Sequence, residues 1–172
     1  LCLESEGGVV HWRNARIKEL PDTPIDPSHV AIADRGYRCL YSGVDLSGWR
    51  EATGWKSRDW ELANETGASP LLTSESFTGD FGFLVDLRLE AGSGVPGISV
   101  RGRNIPLDPS SPLFAKPGSY NRIEGEVVGD TLSLKINGAD AGIHPGIPED
   151  GPFGLVADGA AVWANPYVRK PE

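Results

Sequence analysis

The sequence predicts an all-β protein, an antiparallel two-sheet sandwich of the jelly-roll type. Short apolar runs alternate with a period of two, as half-buried strands do. Turn residues separate these runs at close intervals, helped by 22 glycines and 14 prolines among 172 residues. No window long enough for a helix keeps a helical period without a Gly or Pro break.

The chain opens on a segment that its own end repeats. Leu3-Glu4-Ser5-Glu6-Gly7-Gly8-Val9-Val10-His11-Trp12-Arg13-Asn14 aligns, with one gap, with Leu155-Val156-Ala157-Asp158-Gly159 through Trp163-Ala164-Asn165. Ile17-Lys18 then matches Val168-Arg169. Residues 1–20 therefore read as the closing hairpin of a preceding, truncated copy. Prolines at 21, 24 and 27 block both helix and sheet pairing, so 21–36 reads as an extended linker. Residues 37–172 then form the complete sandwich domain.

Within that domain Phe81, Phe83, Val85, Leu87 and Leu89 alternate with Gly82, Leu84, Asp86, Arg88 and Glu90. Ile98 and Val100 alternate with Ser99 and Arg101. Leu132, Leu134 and Ile136 alternate with Thr131, Ser133 and Lys135, and Asn137-Gly138 supplies the residues that tolerate positive φ in a tight hairpin. Val128-Gly129-Asp130 marks an earlier turn and Glu149-Asp150-Gly151-Pro152 a later one. The expected core is Phe81, Phe83, Val85, Leu87, Leu132, Leu134, Ile136 and Leu155, with Trp49, Trp60 and Trp163 packed into it. Trp55, between Gly54 and Lys56-Ser57-Arg58, reads as a loop residue.

Composition excludes several functions. A formal net charge of −8 argues against nucleic acid, where cations supply most of the affinity. No apolar stretch is long enough for a membrane-spanning helix. Two cysteines are too few for a disulfide scaffold. Cys2 and Cys39 sit in apolar, strand-like contexts, as buried thiols or as one bridge tying the leading segment to the domain. No Ser-His-Asp order, phosphate loop or metal-ligand spacing is present, so neither a metal nor a cofactor is expected.

Six motifs in order resemble a known family. Leu40-Tyr41-Ser42-Gly43-Val44-Asp45-Leu46-Ser47-Gly48-Trp49 resembles its opening LFNGKDLSGW. Leu72-Thr73, Phe77-Thr78-Gly79-Asp80-Phe81 and Asp86-Leu87-Arg88 resemble the strand that follows. Gly97-Ile98-Ser99-Val100-Arg101 resembles the second half of NSGIFLR, Pro117-Gly118-Ser119-Tyr120-Asn121 resembles PGEWN, and Leu134-Lys135-Ile136-Asn137-Gly138 resembles VWLNG. Gly151-Pro152-Phe153-Gly154-Leu155 through Asn165 resembles its closing strands. The family is the 3-keto-disaccharide hydrolase domain, also described as a 3-keto-glycoside lyase/hydratase. The resemblance implies a concanavalin A-like, laminin-G-like jelly roll, a carbohydrate ligand, a secreted or periplasmic location, and further domains upstream in the same chain. It also implies a reaction. A ketone at C3 acidifies the C2 proton, a base removes it, the C1 substituent leaves, and water adds back.

This chain departs from the family at two places. Val95-Pro96 stands where the family has Asn-Ser, and only Arg103-Asn104-Ile105-Pro106-Leu107-Asp108 stands where it has a longer acidic stretch. The remaining candidates lie on polar strand faces. Asp86 or Glu124 is placed to act as base, and Arg101 or Arg88 as an oxyanion or hydroxyl clamp. Trp55 is the candidate sugar-stacking ring, with Asn104 and Glu126 as further substrate contacts. The alternative is a non-catalytic carbohydrate-binding or interaction module, which tolerates the loss of the Asn-Ser pair where elimination does not.

Overall fold

The structure, a computed structural model, describes residues 36–50, 52–58, 60–90 and 94–170. The terminal repeat at 1–20, all of the linker but Gly36, and Cys2 lie outside the described residues. The strands are β1 (Arg38–Cys39), β2 (Trp49–Arg50), β3 (Trp55–Arg58), β4 (Glu61–Asn64), β5 (Leu71–Thr78), β6 (Phe81–Leu89) and β7 (Gly97–Val100). They continue as β8 (Arg103–Pro106), β9 (Tyr120–Val128), β10 (Thr131–Ile136), β11 (Ala139–Pro145), β12 (Asp150–Val156) and β13 (Ala161–Arg169). No helix occurs among the described residues, and none is long and apolar enough to cross a membrane.

The strands form two antiparallel sheets. The larger runs β11-β10-β9-β6-β13-β4-β3, with β1 also paired to β13, and the smaller runs β2-β5-β12-β7-β8. The chain passes repeatedly between them, as in a jelly roll: β5, β7, β8 and β12 lie in one sheet, while β6, β9, β10, β11 and β13 lie in the other. Two hairpin turns follow their residues. Asn137 and Gly138 both have positive φ (52° and 81°) between β10 and β11, and Gly129 (58°) begins the turn between β9 and β10.

The eight expected core residues are all buried, with Trp49 and Trp163. Phe83, in the middle of β6, is the centre of the aromatic cluster. Its ring lies 5.0 Å from Phe153 across the sandwich and 6.3 Å from Phe81, which stacks on Phe77 at 5.2 Å. Gly125 in β9 stands directly opposite Phe83. A Cβ there would fall 2.2 Å from Phe83 Cζ and 2.9 Å from Leu132 Cδ1, so only glycine leaves room for the ring.

Four expectations are corrected. Trp55 is not in a loop: it begins β3, is 5% exposed, and its indole N–H donates to the Ser69 carbonyl at 2.6 Å. Its neighbours Lys56 and Arg58 are polar because they point outward from an edge strand, which hid the alternation. Trp60 is not in the core: it lies in the turn before β4 and is 69% exposed. Cys39 is exposed rather than buried, and its thiol donates to the Tyr41 carbonyl at 3.0 Å. Asp150-Gly151-Pro152 is not a turn but the start of β12, where a register shift between Pro152 and Gly154 accommodates the glycine and proline.

Gly125→Ala tests the packing of the centre. Forcing a methyl against Phe83 is expected to lower unfolding free energy by about 1–3 kcal/mol, measured by chemical denaturation. Combining it with Phe83→Leu should recover part of that loss, because the shorter side chain vacates the space.

Candidate functional site

The alternation that buries Phe83, Val85 and Leu87 turns Asp86 and Arg88 to the other side of the larger sheet. Opposite Arg88, Asp86, Leu84 and Gly82 in β6 stand Tyr120, Arg122, Glu124 and Glu126 in β9. On the other flank β13 places Ala164 beside Asp86 and Arg169 beside Gly82, and β4 places Glu61 beside Ala164. Four of the seven candidate residues, Asp86, Arg88, Glu124 and Glu126, therefore share one outer sheet face.

Asp86 is held from two strands. Arg122 Nε and Nη2 donate to its two carboxylate oxygens at 2.9 Å each, and Asn165 Nδ2 donates to Oδ2 at 2.7 Å. Asn165 reaches it because β13 carries a bulge there: its register shifts between Ala164 and Tyr167, and Asn165 has φ 52°. The hydrogen bonds to Asp86 hold the Arg122 guanidinium above its ordinary pKa, with burial opposing them. Asp86 is 8% exposed and accepts three bonds, which makes it a fixed acceptor rather than an open base.

Arg88 belongs to a second cluster. Its Nη1 donates to Glu61 Oε1 at 2.8 Å and to the Tyr120 hydroxyl at 3.0 Å, and its Nε pairs with Glu90 at 3.3 Å. The guanidinium carbon lies 5.0 Å from the Tyr120 ring centroid, within cation–π range. The Tyr120 hydroxyl also donates to Glu61. That bond is the first cause holding the Glu61 carboxyl below its ordinary pKa, with Arg88 adding to it against burial. Burial and then the same bond push the Tyr120 hydroxyl up to about 12.

Glu124 and Glu126 border a cleft of about 200 Å³, whose polar walls also include Tyr37, Ser133, Lys135 and Arg169. Glu126 pairs with Arg169, whose guanidinium carbon lies 5.2 Å from the Tyr37 ring centroid. Glu124 faces Lys135 across the β9–β10 pair. It makes no hydrogen bond or ion pair with any described residue.

The other three candidates lie elsewhere. Trp55 is in the core. Asn104 is exposed on β8, at the edge of the smaller sheet, opposite Ser99. Arg101 is not on a strand face: it occupies the β7–β8 turn with φ 52° and is 4% exposed. Its guanidinium donates to the carbonyls of Gly79, Pro148 (2.9 Å) and Gly129 (3.4 Å) and lies over the Phe81 ring at 5.2 Å. It joins three turns at one end of the sandwich. Val95-Pro96 leads into β7 of the smaller sheet, and Arg103–Pro106 forms β8 of the same sheet, with Leu107 and Asp108 following it.

A larger cavity, about 570 Å³, opens at the end of the sandwich beside β1, β5 and β13. Phe77 and Phe81 contribute apolar wall, and the Arg38–Glu75 pair at 2.6 Å lies on its rim. Of the outer-face charges only Arg169 borders it, so this cavity and the densest chemistry do not coincide.

Sequence reasoning missed Glu61, Tyr120, Arg122, Asn165 and Arg169. Extending the Glu124–Glu126 alternation back along β9 brings in Arg122 and Tyr120. Asn165 carries no such signal, because a bulge breaks the period that would place it.

No family model matches the chain, and no curated protein matches it. Solved structures do. A "putative glycosyl hydrolase" from Parabacteroides distasonis superposes with TM-score 0.69 at 14% identity, covering 81% of this chain and 96% of that one. A second from the same organism gives 0.63 at 14%, covering 78% and 99%. The carbohydrate-binding module CBM66 from Bacillus subtilis gives 0.59 at 19%, covering 72% and 96%. These likenesses establish the fold, a β-sandwich shared with proteins described as sugar-cleaving or sugar-binding.

Two expected outcomes follow from the geometry. Arg101→Met leaves the three turn carbonyls without their donor and should cost about 3 kcal/mol of stability, measured by chemical denaturation. Arg101→Lys should recover little of it, because a point-like ammonium does not span the three acceptors as a guanidinium does. The Glu61–Tyr120 bond should give a pH-dependent stability term. Glu61, lowered on folding, stabilises above its ordinary value of 4.5 and loses that contribution as pH falls through its lower folded value. Tyr120, raised on folding, stabilises fully below 10.0 and loses that contribution as pH rises towards about 12. Tyr120→Phe should remove the alkaline term and the ionisation near 12 in an ultraviolet titration.

Proposed function

We propose that this domain binds carbohydrate on the outer face of its larger sheet and, in this copy, does not turn the ligand over. The carrying observation is the pairing of the acids there. Asp86, Glu61 and Glu126 each accept from an arginine, which leaves fixed donor and acceptor edges beside a shallow cleft. Sugar hydroxyls both donate and accept, and side chains already locked in one geometry lose little freedom when they bind. The cleft between Glu124 and Arg169 is on the scale of a sugar ring. The structural likeness to a carbohydrate-binding module supports a carbohydrate ligand. The resemblance in sequence supports a role as one module of an exported sugar-processing protein.

A second reading rests on Glu124. Elimination from a 3-keto-glycoside needs a carboxylate with a free lone pair, and Glu124 makes no hydrogen bond or ion pair with any described residue. In this reading Glu124 takes the C2 proton and Lys135, across the β9–β10 pair, faces the developing enolate. Asp86 as base and Arg101 as clamp have less support, since one is buried and already accepts three hydrogen bonds and the other is buried in a turn.

Calorimetric titration of the full chain with a 3-keto-disaccharide and with the parent disaccharide, beside a turnover assay, separates the readings. We expect binding without consumption of the keto-sugar, and several-fold weaker binding in Glu124→Gln. Turnover that Glu124→Gln abolishes would replace the binding module with an enzyme. Absence of both binding and turnover would defeat both readings.

A further inference from the structure

We propose that Trp60 is the stacking platform of a second sugar subsite, at the hairpin edge of the larger sheet, so that the ligand is an oligosaccharide rather than a single ring. The proposal deepens the carbohydrate reading above and rests on it.

Trp60 is the exception among the described tryptophans. Trp49, Trp55 and Trp163 are buried, whereas Trp60 is 69% exposed in the turn between β3 and β4. An indole left in water forfeits the stabilisation its burial would bring and leaves its apolar face available to a ligand. The ring is backed rather than loose. Gly43 packs against it so closely that a Cβ there would fall 2.5 Å from Cε3 and Cζ3, and its φ of +81° is one that glycine adopts without strain. The segment around Gly43 is braced in turn. The Val44 and Asp45 amides donate to Ser42 Oγ at 3.2 and 3.4 Å, the Ser47 amide to Asp45 Oδ1 at 2.9 Å, and Ser57 Oγ to the Val44 carbonyl at 3.1 Å. A ring held on one side and open to water on the other is what stacking against a pyranose face requires.

The surroundings favour a hydroxyl-bearing ligand. Glu61, the next residue, is the shared acceptor of Arg88 and Tyr120, and Arg58 stands opposite Glu61 across the hairpin. A sugar seated on Trp60 and reaching over the hairpin edge to the outer face would meet these charged groups. From β4 the sheet runs through β13 and β6 to β9, where Glu124 lines its cleft. At about 4.8 Å per strand, that separation is roughly 14 Å. One ring does not bridge it, and a chain of several sugars does.

The test uses the full chain, wild type and Trp60→Ala, titrated with malto-, cello-, xylo- and manno-oligosaccharides from disaccharide to hexasaccharide. Calorimetry reads affinity, and acrylamide quenching reads access to the indole. We expect wild-type affinity for at least one series to rise with chain length. Trp60→Ala should flatten that rise and weaken hexasaccharide binding about tenfold, with the melting midpoint unchanged. The hexasaccharide should protect fluorescence from acrylamide in the wild type and not in the variant. Equal hexasaccharide affinity in both proteins, without protection, would overturn the proposal and leave the carbohydrate reading standing. A change confined to self-association, seen by sedimentation, would make Trp60 an interface residue and overturn it as well. Failure of the wild type to bind any of the four series would remove both.

Discussion

Everything on this domain hangs from the register of β6. Its inward residues build the aromatic centre, its outward residues begin the charged face, and the two sets differ by a single position along the strand. A slip of one residue against β9 or β13 would carry Asp86 and Arg88 into the core and Phe83 and Leu87 into water. Gly125 helps to fix that register, because only at this pairing does the empty space above a glycine coincide with the Phe83 ring. The site and the core are thus two consequences of one alignment.

The charged face is ordered by mutual neutralisation. The chain carries a net charge of −8, yet the acids at the centre of this face are matched by arginines from other strands, Asp86 by the adjacent β9, Glu61 across β13 and Glu126 across β6. Each pair removes conformational freedom from two long side chains before any ligand arrives, which suits recognition better than proton transfer. Glu124 and Trp60 are the exceptions, one a carboxylate without a hydrogen bond or ion pair to a described residue and the other an aromatic ring with one face open to water. Both are places where the folded chain leaves an interaction unmade.

The sequence made the inward side legible, because burial imposes strict alternation and strict alternation survives inspection. Phe81 to Leu89 and Thr131 to Ile136 could be assigned to faces without coordinates. The same period placed Asp86, Arg88, Glu124 and Glu126 on a shared side. It failed where the chain departs from regular pleating. Arg101 continues the alternation of Ile98 and Val100 on paper, but the strand ends at Val100 and the arginine turns inward at a positive φ. Asn165 reaches Asp86 through a bulge that no period encodes. The tryptophans were exchanged for a different reason. Trp55 sits among polar residues because an edge strand shows them to solvent, while Trp60 sits within one residue of a strand but in its turn.

Arg101 also bears on how the sandwich comes together in time. Its acceptors lie 22, 28 and 47 residues away in sequence, at Gly79, Gly129 and Pro148. None is local, and they come from turns adjoining strands of both sheets. The guanidinium meets all three acceptors only where the three turns come together, at the Phe81 end of the sandwich. One side chain thus ties together three turns that are remote in sequence, and its contacts are all of the long-range kind that makes a sandwich slow to fold.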